Sequence, residues 1–386
     1  MNPPPDSPRR LRVLQCITRL GLGGAERMAF GLMDTLRPRV DCAVFTVHGA
    51  GGDAVGAGLR HELAATRTPW FAGTAVPMKA GGMLPGASAL ARAVGSFRPD
   101  VVHFHSETPE SCGAMLAQFS PAFARMPMVR TIHNSVFWRY WPRIGRWCDR
   151  RLAHAHIACV SEAAREEFLR YRADSGAGRP PAEPGVIYNG VALPPLAPRP
   201  GPEHPGRRRV LFAGRFEMQK GADVLCQALA QVCLPADTRG ELTCMGHGAQ
   251  AAQIKALAAN PPPGWSVTVL PPAAGLAAVF PHHDLVVMPS RFEGLGLVAI
   301  EATLCGLPVV ATDAPGLRET LPADYPWRAR PGDAASLAQC LGTALAETGR
   351  WAETVRAAQY FARTRFSPAA MGEGYEQLYA LARSAH

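Results

Sequence analysis

Two carboxylates eight positions apart, Glu293 and Glu301, flank a glycine-rich turn in the segment Arg291-Phe292-Glu293-Gly294-Leu295-Gly296-Leu297-Val298-Ala299-Ile300-Glu301. The strand-like run Leu285-Val286-Val287-Met288 stops at Pro289-Ser290. Glu293 is therefore expected on a loop past a strand end, and Glu301 about two turns into the helix that follows. The amides of Leu295, Gly296 and Leu297 then read as open donors at a helix N-terminus, which favours anions and hydroxyl oxygens. The two glutamates add acceptors for sugar hydroxyls, so the chemistry implied is that of a nucleotide sugar. Solvated carboxylates on a helix face show the same spacing in many proteins, so a second pattern has to agree.

It does, upstream. Arg209-Val210-Leu211-Phe212-Ala213 reads as a short buried strand, followed by Gly214-Arg215-Phe216-Glu217-Met218-Gln219-Lys220-Gly221 and the helical Ala222-Asp223-Val224-Leu225. Two cations and two glycines thus share one strand-to-helix loop. A diphosphate needs this combination, fixed positive charge for its oxygens and glycines that let the backbone come close.

With these two segments, the loop Gly23-Gly24-Ala25-Glu26 and the stretch Thr131-Ile132-His133-Asn134, the chain resembles the retaining nucleotide-sugar glycosyltransferases of family 4. The four motifs stand in that family's order and span most of the chain. The resemblance implies an α/β chain of the GT-B fold, two Rossmann-like domains facing each other across a cleft. It implies a catalytic set of His133, Arg215, Lys220 and Glu293, and a donor-binding set of Gly23, Gly24, Gly214, Leu295, Gly296, Leu297 and Glu301. His133 would reach the donor sugar, Arg215 and Lys220 would hold the leaving diphosphate, Glu293 would orient sugar hydroxyls, and Glu301 would accept from the nucleotide ribose. Asn134 stands where the family commonly has an acid, and Glu319 matches a recurring family acid that reads here as structural. His103 and His105 also end a strand and read as structural.

Other chemistries fit less well. Gly21-Leu22-Gly23-Gly24-Ala25-Glu26 suggests a dinucleotide fingerprint, but Glu26 occupies its third glycine position. A first-turn role favoured by the helix dipole suits Glu26 better. A pyridoxal-phosphate phosphorylase would need a spare lysine, and the C-terminal half has only Lys220 and Lys255. A nucleotide-sugar epimerase and a non-catalytic nucleotide-binding protein remain as alternatives. No D-x-D motif appears in the expected strand-end loop and the cationic pair can neutralise a diphosphate, so neither a metal nor another cofactor is expected.

The elements that must position these residues alternate. Strands are predicted over 12–17, 42–47, 101–105, 128–133 and 157–160, and again over 210–213, 241–245, 266–270, 284–288 and 308–311, with helices between them. That alternation predicts parallel sheets covered on both faces. The 386 residues, 47% hydrophobic, suit two domains, here 1–195 for the acceptor and 206–365 for the nucleotide sugar. The proline-rich stretch from Leu193 to Arg208 reads as a stiff linker. Residues 366–386 read as a terminal amphipathic helix, with Met371, Tyr375, Leu378, Tyr379 and Ala382 on one side; the resemblance implies that it crosses back to the first domain. Ten scattered cysteines with no C-x-x-C pair read as reduced core thiols of a cytosolic protein.

Neither an apolar leader nor an apolar run of spanning length is evident, so action on the cytoplasmic side is expected. Residues 1–205 hold 24 Lys/Arg against 16 Asp/Glu and the remainder 16 against 15, so +8 and +1 make up the net +9. The basic excess falls on the acceptor domain, where Phe137-Trp138-Arg139-Tyr140-Trp141-Pro142-Arg143-Ile144-Gly145-Arg146-Trp147 mixes aromatics with cations and is followed by Arg150. Two readings stand open: an interfacial segment that touches an anionic inner-membrane surface, or core aromatics beneath a solvated basic face. The expected partners are a nucleotide-sugar donor and a glycan, polysaccharide or lipid-linked acceptor, with no nucleic acid.

Overall fold

A computed structural model describes residues 9–21, 23–49, 54–134, 138, 141–176, 180, 182–193, 196–273 and 275–384. The chain divides into two compact units, Met1–Gly190 together with Pro368–His386, and Val191–Ser367.

In unit 1 the described strands are β1 (Leu11–Ile17), β2 (Val40–Thr46), β3 (Trp70–Ala72), β4 (Val101–Phe104), β5 (Met128–Ile132), β6 (His156–Cys159) and β7 (Gly185–Val186). Helices α1 (Gly24–Leu36), α2 (Ala54–Ala65), α3 (Met83–Phe97), α4 (Glu107–Phe119), α5 (Pro121–Ala124), α6 (Pro142–Arg151) and α7 (Glu162–Asp174) lie between or after them. The strands form one parallel sheet in the order β3-β2-β1-β4-β5-β6-β7. β1 and β4 are neighbours although two strands intervene in sequence, which makes their junction the topological switch point.

Strand alternation sorts the faces of this sheet. Leu14, Cys16, Val102, Phe104 and Met128 pack toward α3, α4 and α6, with Leu90, Cys112 and Cys148 among their partners. Val13, Val101 and Val129 face α1 and the last helix of the chain. On the first face Arg130, 1% exposed, lies 2.7 Å from Glu110 on α4 and 3.0 Å from Asp149 on α6. Burial works against its charge, but the two carboxylates outweigh it and raise its pKa.

Unit 2 repeats the plan with β8 (Arg207–Ala213), β9 (Arg239–Met245), β10 (Trp265–Leu270), β11 (Leu285–Met288), β12 (Val309–Thr312) and β13 (Arg328–Ala329). Its sheet is again parallel, in the order β10-β9-β8-β11-β12-β13. Helices α8 (Ala222–Leu229), α9 (Ala251–Ala259), α10 (Leu297–Leu304), α11 (Ala334–Ala346) and α12 (Trp351–Arg365) accompany it. The switch point here lies between β8 and β11. Both units are therefore Rossmann-like, as the alternation predicts. Strands β3, β7 and β13 have no counterpart in that prediction, because two or three residues at a sheet edge carry no readable period.

The proline-rich stretch is not a free spacer. The Leu196 amide donates to the Leu304 carbonyl at 2.8 Å, the Arg199 amide donates to the Gly306 carbonyl at 3.1 Å, and Gln359 Nε2 donates to the Leu196 carbonyl at 2.7 Å. Gly306 has φ +84°, and a Cβ there would stand 2.5 Å from the Ala197 carbonyl oxygen. The segment is laid along unit 2; Pro194 and Pro195 lie outside the described residues.

The basic-aromatic segment divides similarly. Trp138 is buried and Trp147 packs against the core, whereas Trp141 stays 46% exposed. Arg143 and Arg150 are exposed and Arg146 is half-buried. Phe137, Arg139 and Tyr140 lie outside the described residues. None of the described helices is long and apolar enough to cross a membrane. Among the cysteines, Cys233 is exposed just beyond α8 rather than in the core.

Helix α13 (Pro368–Ser384) belongs to unit 1. It buries Met371, Tyr375, Tyr379 and Ala382 against the Val13, Val101 and Val129 face, and its side chains recur at a spacing that keeps them on one side. Gly372 is what lets it approach α1, since a Cβ there would stand 2.7 Å from Thr35 Cγ2. A large apolar side chain such as Met371 contributes ~1.5–3 kcal/mol when buried, against a domain stability of ~5–15 kcal/mol. Deleting residues 368–386 is expected to abolish cooperative unfolding of unit 1 and leave that of unit 2; thermal melts with limited proteolysis check this, and a protease-resistant unit 1 would contradict it.

Candidate active site

In unit 2 two loops leave neighbouring strands at the switch point. The first follows β8 and contains Gly214, Arg215 and a 3-10 turn over Met218–Lys220. The second follows β11 and runs from Pro289 to Gly296. The Arg291 amide donates to the Gln219 carbonyl at 2.8 Å, and the Gln219 side chain donates to the Phe292 carbonyl at 3.3 Å. The Arg291 guanidinium makes a two-point pair with Asp223 in the first turn of α8, both contacts 2.7 Å. Neither Gln219, Asp223 nor Ser290 stands out in the sequence. The i to i+68 pairing of Asp223 with Arg291 leaves no local signal.

Glycines permit this closeness. Gly221 has φ +69° and a Cβ there would lie 1.9 Å from the Pro289 carbonyl oxygen. Gly316 has φ +77° and bears in the same way on the Glu293 carbonyl oxygen, at 2.2 Å.

The expected site residues of unit 2 gather unevenly. Lys220 Nζ sits 2.7 Å from both oxygens of Glu293. Ser290 Oγ donates to Glu293 Oε1, also at 2.7 Å. Glu293 is 4% exposed, so its charge is held by the ammonium and the hydroxyl together. Arg215 is exposed and makes no ion pair among the described residues; its guanidinium donates to Gln219 Oε1 at 3.0 Å. Gly214, at φ +156°, turns the chain between β8 and Arg215.

Two details differ from expectation. The Leu297 amide is not an open donor but is bonded to the Leu295 carbonyl at 2.7 Å, because the chain tightens as it enters α10. Glu301 is only the fifth residue of α10, little more than one turn in, because the helix begins at Leu297. It is buried, 3% exposed.

In unit 1 Gly23 is the N-cap of α1 and Gly24 its first residue. The Glu26 carboxylate folds back over Gly23, where a Cβ would stand 2.0 Å from Glu26 Oε2. Burial raises the Glu26 pKa, against the opposing pull of a backbone amide and Arg19. The glycine thus accommodates a first-turn carboxylate; Leu22 lies outside the described residues.

His133 follows β5 and is half-buried. Its Nε2 lies 3.3 Å from His105 Nδ1, so the two strand-end histidines meet. Packing around the ring pushes the His133 pKa down to about 3 by desolvation, and His103 and His105 are driven well below the usual range by the same cause.

Family profiles match both units. "Glycosyltransferase Family 4" matches residues 22–193 and "Glycosyl transferases group 1" matches residues 207–347. The chain belongs to the group 1 glycosyltransferases. This group 1 glycosyltransferase is 32% identical over 244 residues to D-inositol 3-phosphate glycosyltransferase of Pseudarthrobacter chlorophenolicus, covering 58% of this chain and 57% of that protein. The chain thus spans little more than half the length of that relative. It is 29% identical over 311 residues to glycogen synthase of Mycobacterium tuberculosis, covering 75% and 70% of the two chains. In fold it is similar to HepE of Anabaena in complex with UDP and glucose, with TM-score 0.76, 21% identity and coverage of 96% and 100%. Sucrose-phosphate synthase of Thermosynechococcus elongatus gives TM-score 0.75, 20% identity and coverage of 98% and 100%. The fold of this glycosyltransferase is accordingly GT-B.

Two outcomes test the geometry. Gly221→Ala places a Cβ against Pro289 in a left-handed conformation, and is expected to cost ~1–3 kcal/mol, read as a lower denaturant midpoint of unit 2. The three histidines bear on acid stability. Their folded pKa values lie below the unfolded value of ~6.5, so below that pH the unfolded chain binds more protons than the native one. Their stabilising contribution is complete above pH ~7 and falls by up to ~1.4 kcal/mol per pH unit per histidine as pH drops below ~6.5. Urea unfolding of unit 1 at several pH values should show this slope, and His105→Gln should reduce it; an unchanged slope would contradict the buried neutral state.

Proposed function

We propose that this group 1 glycosyltransferase is a retaining enzyme, moving a sugar from a nucleotide-sugar donor to a glycan, polysaccharide or lipid-linked acceptor. The observation that carries this reading is the exposed Arg215, free of an ion pair among the described residues, on the loop that also presents Gly214 and the Lys220–Glu293 pair at a parallel-sheet switch point. Ligands of open α/β sheets bind outside the carboxyl ends of strands at such points. The bond from the anomeric carbon to the diphosphate breaks, and an acceptor oxygen bonds to the same face of that carbon. The acceptor's proton passes to the departing diphosphate.

Negative charge therefore grows on the leaving group. Arg215 is placed to stabilise it, and a preorganised donor of this kind is worth ~3 kcal/mol, roughly 100-fold in rate. Lys220 has three N–H donors, so it can hold Glu293 and a phosphate oxygen together. Glu293 orients sugar hydroxyls, Glu301 accepts from the ribose, and His133 reaches the donor sugar. The ligands named for HepE, UDP and glucose, support a UDP-sugar as donor. With cations supplied by the chain, no divalent ion is required and transfer is expected to survive chelation. Exposed Trp141 beside exposed Arg143 supports a peripheral contact with an anionic surface on the cytoplasmic side.

Nucleotide release from a panel of UDP-, GDP- and ADP-sugars, with and without acceptors and with EDTA, tests the reading. Transfer that needs an acceptor and tolerates EDTA is expected; no release from any donor, or sugar isomerisation without acceptor, would overturn it. Arg215→Ala should cut turnover about 100-fold at an unchanged melting temperature. Lys220→Ala should cut it similarly and also lower the melting temperature, because Glu293 loses its counter-charge. Near-normal turnover in both variants would remove the assignment of these cations.

A further inference from the structure

Beneath His133 a run of buried polar side chains crosses unit 1. His105 Nδ1 lies 3.3 Å from His133 Nε2, and His105 Nε2 lies 2.6 Å from Gln15 Oε1. Gln15 Nε2 donates to the Tyr379 hydroxyl at 3.2 Å, and that hydroxyl lies 2.8 Å from His103 Nδ1. His103 Nε2 is 2.7 Å from Thr131 Oγ1, which is 2.8 Å from the Tyr375 hydroxyl. Gln15, His103, His105, Tyr375 and Tyr379 are fully buried and Thr131 is 1% exposed.

The register explains the assembly. Gln15 pairs with His103 across β1 and β4, and His103 pairs with Val129 across β4 and β5. Counting in twos places Gln15, His103, His105, Thr131 and His133 on one face, the face that α13 covers. Earlier on those strands the same face is Val13, Val101 and Val129. An apolar contact therefore suffices to dock α13 at one end of the face, and the polar end asks for another explanation. In particular, His105 makes no hydrogen bond to α13 among the described residues: its two nitrogens are taken by Gln15 and His133.

The protons follow from the donor inventory. Gln15 Oε1 can only accept, so His105 carries its proton on Nε2 and its Nδ1 is an acceptor. His133 must then donate from Nε2. Gln15 Nε2 can only donate, so the Tyr379 oxygen accepts from it and the Tyr379 proton goes to His103 Nδ1. His103 then donates from Nε2 to Thr131. With three neutral rings each contact has one donor and one acceptor, and reversing the Gln15 amide would reverse every proton in the run.

We propose that Gln15, His105 and Tyr379 are positioning residues that hold His133 as the neutral Nε2–H tautomer and leave its Nδ1 as an acceptor for a hydroxyl group of the substrate. The role of His133 in transfer rests on the function proposed above; its tautomer does not. Tyr379 is included because its hydroxyl is the direct partner of the buried Gln15 amide nitrogen. Tyr375 sits at the far end, beyond Thr131, and its hydroxyl is bonded to Thr131 rather than to Gln15 or His105. A neutral ring held by desolvation keeps this arrangement through the physiological range.

The test uses the 386-residue chain labelled with 15N-histidine. Long-range 1H–15N spectra at pH 6–8 should show His133 with a protonated Nε2 and an unprotonated Nδ1. Tyr379→Phe and Gln15→Leu should each convert that signal to a mixture of tautomers. Tyr375→Phe, which loses the same hydroxyl from the same helix, should leave it unchanged. In the transfer assay, Tyr379→Phe and Gln15→Leu should lower kcat about tenfold with donor KM held within about twofold. An Nδ1–H tautomer in the unsubstituted protein overturns the proposal, as does a His133 signal indifferent to Tyr379→Phe, the result expected if the chain only tethers α13. If Tyr379→Phe or Gln15→Leu fails to fold, the unsubstituted spectrum together with His105→Gln decides: His105→Gln should also mix the His133 tautomers, and an unchanged signal counts against the proposal. If no donor supports transfer while the tautomer and its loss are as stated, the functional reading fails and the positioning network stands.

Discussion

Parallel pairing is the constraint from which the rest of this structure follows. Because every strand in a parallel sheet runs the same way, all carboxyl ends collect along one edge, and the crossover helices must cover both faces. A chain that reverses its winding between β1 and β4, or between β8 and β11, then opens a gap between two diverging loops at that edge. Backbone groups there are not consumed by the ladder, and glycines can bring loops within contact of one another. In unit 2 the polar chemistry stands at this edge, and in unit 1 polar side chains continue from it into the strands, with Gln15, His103 and Thr131 on one face and Arg130 on the other.

Unit 2 shows how such an edge is made rigid without being filled. Two ion pairs bind the β8 and β11 loops, Lys220 with Glu293 and Arg291 with Asp223. They differ in consequence. Arg291 and Asp223 satisfy each other in a planar two-point contact, which suits a structural tie. Lys220 and Glu293 also pair, but the ammonium retains donor capacity and the carboxylate is nearly buried, so the pair orients both groups while leaving chemistry available. Arg215 stands outside both ties as an exposed charge.

Unit 1 places charge and polarity on opposite faces of one sheet. Arg130 lies between Glu110 and Asp149 beneath α4 and α6, and its neighbour in sequence, Thr131, points the other way into the neutral histidine run under α13. Breaking the buried ion cluster would strand a charge at a cost of ~3–5 kcal/mol, whereas breaking the neutral run would strand single polar groups at ~1–3 kcal/mol each. The face with the larger penalty is suited to holding helices in place.

Much was legible in the linear chain. The alternation of strand and helix, the loop from Gly214 to Gly221, the turn around Glu293 and the histidine at the end of β5 all carry local signals, because strand periods, glycine turns and helix starts depend on residues a few positions apart. That local information determined the Rossmann-like halves and the residues at their edges. Tertiary structure decided what those residues touch. The pairing of Lys220 with Glu293 spans 73 positions, and the meeting of Gln15 with Tyr379 spans 364; neither leaves a mark in sequence spacing. Sheet register and helix packing alone brought His105 to His133, laid the stretch from Leu196 to Arg199 along unit 2, and put Trp138 and Trp147 in the core while leaving Trp141 outside. The physical reason is that side-chain partnership depends on which strands become neighbours, and in a sheet that reverses its winding those neighbours are far apart along the chain.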